Sequence, residues 1–210
     1  MWLRILQGIM RAGSSHEMLN DSMVAAVYQI KREMKRISVI LLLSSMCCMA
    51  FAQNATHPFS TYTVGTTFVH KDMVSFGGDT IRSATLDTSI VWYNFWHTRC
   101  KPCVLEMEEL NRIALTYKDN PKVRFVAVAC DDSASVAEFL KTHPMEFQVV
   151  AFEKTAFLST FSSSHFPTNL LINADRKVIV EKIGGTLKPD QVQDELRPLV
   201  IRLGQLLDGK

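Results

Sequence analysis

Two cysteines at Cys100-Lys101-Pro102-Cys103 stand between an apolar strand and an amphipathic helix, and this placement constrains the fold more than any other feature of the chain. Ser89–Phe95 (S-I-V-W-Y-N-F) is β-branched and aromatic, the pattern of a strand buried on both faces. From Cys103 to Tyr117, apolar residues at Val104, Leu105, Met107, Leu110, Ile113, Ala114 and Tyr117 follow helical spacing, and Lys118-Asp119-Asn120-Pro121 ends the helix. Val123–Cys130 (V-R-F-V-A-V-A-C) is a second buried strand. The right-handed crossover rule makes the two strands parallel neighbours.

The remaining chain extends this unit. Thr61–His70 and Met73–Arg82 are expected to form a hairpin around Lys71-Asp72, with Gly77-Gly78-Asp79 punctuating its second strand and Asp87-Thr88 a further turn. Asp132-Ser133 can cap a helix through Val136, Phe139 and Leu140, closed by His143-Pro144. A short strand at Phe147–Val150, a helical stretch around Ala156–Phe161, and a hairpin of Asn169–Asn173 with Val178–Ile183 follow. Gly184-Gly185 ends the hairpin, and Pro189–Leu207 is a final amphipathic helix in which Pro198 could introduce a kink. The expected fold is α/β: a mixed central sheet with helices on both faces, preceded by an N-terminal β-hairpin.

The first 60 residues have a different character. Lys35-Arg36 precedes an apolar run from Ile37 to Met49, then Ala50-Phe51-Ala52 before Gln53. A basic start, a short apolar run and an A-x-A site make residues 34–52 a signal peptide, or an anchor if uncleaved. The run is shorter than the ~20 residues of a spanning helix. Cys47 and Cys48 fit a lipoprotein less well, because Met46 stands where a small residue is expected. Residues 1–33 are read as a gene-model extension upstream of a start at Met34, or as disordered, the alternative being a real extension with a weak helix around Met23–Met34. Residues 53–60 are a linker, and 61–210 the folded domain. That leader indicates export, to the periplasm or to an extracytoplasmic membrane-anchored position, with membrane contact only if it stays uncleaved. Residues 53–210 carry 17 basic and 18 acidic side chains, so the domain has no electrostatic footprint for nucleic acid.

The helix start gives the motif its chemistry. Unpaired N–H groups and a partial positive charge there favour a thiolate, the nucleophilic form of cysteine. Pro102 suits the first turn, where its missing N–H is not needed. Cys103 lies one turn on, placed to resolve a mixed disulfide made by Cys100. Half a zinc site is the competing use of a C-x-x-C, but the sequence has no second C-x-x-C and no H-x-x-x-H.

Asn94-Phe95-Trp96-His97-Thr98-Arg99-Cys100-Lys101-Pro102-Cys103, with Glu106 after it, resembles the TlpA/ResA branch of the thioredoxin-like family. The similarity runs from about Val64 to Gly185 and takes in Phe166-Pro167-Thr168, which matches the family's cis-proline loop. The resemblance implies a thioredoxin fold and an extracytoplasmic thiol-disulfide oxidoreductase, more often a reductase. Its partners would be oxidised protein substrates and a membrane donor of thiol electrons, and the Cys100–Cys103 couple would need no further cofactor and no metal. Phe166, Pro167 and Thr168 would line the substrate groove. The chain departs from the family at Arg99, where tryptophan is usual, at Glu108, where proline is common, and at His97, where alanine or serine is common.

Trp96, His97, Arg99, Lys101, Pro102 and Glu106 are the candidate modulators. Arg99 would favour a Cys100 thiolate by its charge. Glu106 shares a helical face with Cys103 and could carry its proton, the alternative being a solvated face. Asn94 stands where cytosolic thioredoxins have a buried acid, and is otherwise a hydrogen-bonded strand residue. Cys130 is expected to be an inert small hydrophobe. Two other readings stay open: copper or zinc delivery through Cys100 and Cys103 with His165, to which His97 could add a further ligand, and a non-catalytic binding module with a static disulfide.

Overall fold

The computed structural model describes residues 62–209, together with Gln29, Lys31, Arg32 and Met34. These four belong to a unit separate from the domain and are helical and exposed. Apart from Met34, the leader lies outside the described residues, as do its cleavage site and the linker. Among the described residues, no helix is long and apolar enough to cross a membrane.

The domain is built on five strands in the order β5-β4-β3-β6-β7: β3 (Ile90–Trp96), β4 (Val123–Ala129), β5 (Gln148–Ala151), β6 (Thr168–Ile172) and β7 (Val178–Ile183). β3 pairs in parallel with β4 and antiparallel with β6, and all seven of its residues are buried. That explains its almost wholly apolar sequence: a central strand covered on both faces has no solvent side for polar residues, and its one amide, Asn94, is hydrogen-bonded to Asn169.

The alternation of β3 divides the core in two. Trp92 and Trp96 join Cys100, Cys103, Leu110, Leu196 and Leu203 on one face. Tyr93 and Phe95 join Phe68, Phe157, Phe161 and Leu170 on the other. The first face is covered by α2 (Lys101–Thr116), α3 (Ser133–Leu140) and α5 (Val192–Leu207), the second by α4 (Lys154–Phe161). Each large side chain buried in this way contributes about 1.5–3 kcal/mol. Asp132 caps α3, its carboxylate accepting the Ser135 N–H at 2.8 Å. α5 follows a 3₁₀ turn at Pro189–Gln191 and continues helical through Pro198.

The N-terminal part of the domain corrects the sequence expectation. A hairpin exists, but it lies wholly inside the segment expected as its second strand: β1 (Met73–Val74) pairs with β2 (Thr80–Ile81) around Gly77-Gly78. The backbone at Gly78 has φ of 85°, which a glycine adopts without strain. Residues 65–68 do not pair with 73–82. They run beside the start of β7, with Gly65 N–H donating to Val178 C=O at 2.8 Å and Phe68 N–H to Arg176 C=O at 2.7 Å. The chain then crosses the second face, where His70 lies against Tyr93 of β3, and reaches β5, where Phe76 N–H donates to Val149 C=O at 2.9 Å. One short helix, α1 (Ser83–Leu86), was not expected; the Ser83 N–H at its start is satisfied by Asp72 Oδ1 at 2.7 Å.

Candidate active site

β3 and α2 meet at the cysteine motif. Cys100 is the N-cap of α2, with extended backbone, and its Sγ accepts the Cys103 N–H at 3.2 Å. Pro102 occupies the first turn, where no N–H is required. Cys100 and Cys103 are joined as a disulfide with a Cα–Cα separation of 5.2 Å, and both are buried. The Phe166–Pro167 peptide is cis, as the family resemblance implied. Thr168 is fully buried and its hydroxyl donates to the His165 carbonyl at 2.8 Å, which fastens the loop to the start of β6.

Glu106 is not on a solvated face. It is 1% exposed, one turn after Cys103 on the buried side of α2. Its Oε2 accepts from Asn169 Nδ2 at 2.9 Å, and its Oε1 lies 3.2 Å from Lys182 Nζ. Burial pushes the carboxyl above the usual range, while the Lys182 charge and the Asn169 hydrogen bond pull it back. Asn169 itself is fully buried, its Oδ1 accepting from Trp92 Nε1 at 3.0 Å and from Asn94 Nδ2 at 3.1 Å. Asn94 is therefore a hydrogen-bonded strand residue whose partner orients the hydrogen bond to Glu106.

Gly185 closes the site. A Cβ at this position would stand 2.9 Å from Glu106 Oε1, 3.0 Å from Pro167 Cγ and 3.2 Å from Pro102 Cβ. The carboxylate and both prolines thus converge on a gap that only glycine leaves open. Gly185→Ala is expected to lower stability by about 1–3 kcal/mol through overpacking. An unchanged urea midpoint would show that the three groups separate freely.

The other candidates divide. The His97 ring packs edge-on against Phe166, with centroids 5.2 Å apart, so these two form one wall beside the motif. Burial lowers the His97 pKa, Asp131 opposes the shift and Arg99 adds to it. Asp131 also accepts the Thr98 N–H at 2.6 Å, holding the loop before Cys100. Trp96 is fully buried against Phe139, at 5.4 Å, and acts on the motif only through packing. Arg99 and Lys101 are exposed, so water screens their charges. Cys130 is half-buried and free, with burial raising its pKa, which suits an unreactive thiol.

The family model described as thioredoxin-like matches residues 88–178. A thiol-disulfide oxidoreductase ResA from Bacillus cereus is 36% identical over 110 residues, which span 52% of this chain and 62% of that relative. The ResA of a second Bacillus cereus strain is 27% identical over 165 residues, spanning 78% of this chain and 94% of the relative. The domain is thus thioredoxin-like, and the chain is similar to thiol-disulfide oxidoreductases of the ResA kind.

Solved structures show the same fold. The thioredoxin domain of a thiol-disulfide oxidoreductase from Bacteroides vulgatus superposes with a TM-score of 0.54 at 16% identity, covering 67% of this chain and 99% of that one. A thiol:disulfide interchange protein from Bacteroides sp. gives 0.52 at 16% identity, covering 64% and 91%. In this ResA-like domain, the described residues include no group of three or more His, Cys, Asp or Glu side chains disposed to hold a metal ion.

Sequence reasoning missed Asn169, Lys182 and Gly185. Asn169 carried a usable signal: an amide within the apolar run T-N-L-L-I must find buried partners. Gly185 was visible only as the end of a strand. Lys182 stands beside Glu181 near the end of β7 and reads like any surface lysine, whereas in the fold it meets Glu106 of α2 and Glu195 of α5.

Proposed function

We propose that this oxidoreductase is an extracytoplasmic reductase of protein disulfides. The observation that carries the reading is the Cys100–Cys103 disulfide on the first turn of α2 beside the cis Phe166–Pro167 peptide. The reduced pair works in two steps. The Cys100 thiolate, favoured by the helix N-terminus, attacks a partner disulfide. Cys103 then attacks Cys100, closing the intramolecular disulfide and releasing the reduced partner. Glu106, the buried carboxylate on the Cys103 face, accepts the proton that Cys103 must lose. His97 and Phe166 form the wall against which the partner chain lies. The couple itself is the redox group, and a membrane donor of thiol electrons returns it to the dithiol. The leader at residues 34–52 supports export, and Gln53 is then the mature N-terminus.

The test is insulin reduction with dithiothreitol as electron source. Catalysed precipitation of the insulin B chain is expected from the wild type. Absence of catalysis by protein whose Cys100–Cys103 couple cycles fully would overturn the reductase reading and leave an oxidase, and a couple that dithiothreitol does not reduce would leave a static disulfide. Sequencing of the exported protein tests the location; a start other than Gln53 would reject cleavage at that site.

A further inference from the structure

Lys182 is remote from the cysteine motif in sequence, yet its ammonium touches three groups around the site. Nζ lies 3.2 Å from Glu106 Oε1 and 2.9 Å from Glu195 Oε2 of α5, and it donates to the Gly184 carbonyl. The Gly184 N–H in turn donates to the Pro167 carbonyl at 2.8 Å. Lys182 thus links the buried carboxyl to the loop that carries the cis-proline. The groups facing Glu106 are Lys182 from β7, Glu195 from α5 and the neutral amide of Asn169 from β6, with the cysteine pair one turn back on its own helix.

A carboxylate this buried has lost most of its hydration and holds charge only if other groups replace the lost water. Asn169 supplies one hydrogen bond but no charge. Lys182 is the one cation that reaches Glu106 among the described residues. Glu195 works against it, attracting the same ammonium and repelling a charged Glu106.

We propose that Lys182 is a positioning residue of the exchange reaction: its ammonium, shared with Glu195, keeps Glu106 ionised and docked beside the Pro167 loop, ready to take the Cys103 proton. This deepens the exchange mechanism proposed above and rests on it. In the step concerned, Cys103 gives its proton to Glu106 and its sulfur attacks Cys100 Sγ. The Cys100–Cys103 bond forms, the bond from Cys100 to the partner sulfur breaks, and the partner leaves as a thiolate with the electron pair. No other oxidant or reductant enters.

The reduced full-length protein is mixed with the aromatic disulfide dithionitrobenzoate from about pH 5 to about pH 9. Cys100 releases one coloured thiolate on attack, and Cys103 releases the second on resolution. In the wild type, the resolution rate falls as Glu106 is protonated. Lys182→Met is expected to move this acid limb up by about one pH unit, so that resolution on the acid side of the limb slows about tenfold at a given pH. Lys182→Arg keeps the wild-type profile. Glu195→Gln moves the limb the other way, because it removes a repelling charge and leaves Lys182 to Glu106 alone. This opposite sign decides the matter even where Lys182→Met does not fold. A purely structural Lys182–Glu195 tie would cost both variants stability without opposed shifts, and that result overturns the proposal. An acid limb unmoved in Lys182→Met but removed in Glu106→Gln overturns the role of Lys182 and spares Glu106. A limb unchanged in Glu106→Gln removes the proton acceptor itself and the proposal with it.

Discussion

Cys103→Ser is expected to stop turnover while leaving Cys100 covalently attached to its partner. The two cysteines are close in space but not equivalent. Cys100 caps α2, so its sulfur faces the unpaired N–H groups of the first turn, one of which already meets it at 3.2 Å. Cys103 lies within the first turn on the buried face, beside the Glu106 turn. Attack therefore belongs to Cys100 and release to Cys103. Without Cys103, the mixed disulfide has no internal route to resolution and accumulates. Catalysed insulin reduction should fall by about three orders of magnitude, the scale on which cooperating catalytic groups fail together. A thiol-reversible adduct should appear on a non-reducing gel. Cys100→Ser should lose both turnover and adduct. If Cys100→Ser forms the adduct and Cys103→Ser does not, the assigned roles are reversed.

The second large effect lies on the opposite face of the sheet. His70 is buried, its Nδ1 2.8 Å from the Tyr93 hydroxyl, and its Nε2 meets no hydrogen-bond partner among the described residues. Burial lowers its pKa to about 4, with Asp87 opposing and Arg176 adding to the shift. The unfolded chain binds a proton at this histidine below about pH 6.5, whereas the folded one resists until about pH 4. Between those values the unfolded state binds more protons, so stability present above about pH 6.5 is lost as the pH falls toward 4. At about 1.4 kcal/mol per unit of pKa, the loss at about pH 4.5 is about 2 kcal/mol. His70→Phe keeps an aromatic ring against Phe68 and Tyr93 without the titrating group. Urea unfolding at about pH 7 and about pH 4.5 should show the wild type losing about 2 kcal/mol more than the variant. Parallel losses would rule out His70 as the source.

The legible parts of this chain were those where one local rule acts alone. Ser89–Phe95 announced a central strand because burial on both faces removes polar residues, and the observed strand is shifted by one residue. The cysteine motif announced its helix because only a helix start suits Pro102 and the spacing together. The hairpin was misplaced because Thr61–His70 has strand-like residues but finds its hydrogen bonds beside β7, more than 100 positions away, a pairing no local pattern encodes. Glu106 was ambiguous for the same reason. Its helical face could be read, but whether that face met water or Asn169 and Lys182 depended on β6, β7 and α5 arriving from the far end of the chain.

The stretch between residues 65 and 76 reaches both outer strands of the sheet, β7 through Gly65 and Phe68 and β5 through Phe76. Outer strands carry unpaired N–H and C=O groups, which invite foreign chains to add on and seed aggregates. One piece of backbone therefore blunts both rims of the sheet at once. It also lies upstream of residues 88–178, the part that matches the family. A segment that takes no part in the cysteine chemistry thus covers backbone at both rims of the sheet that carries it.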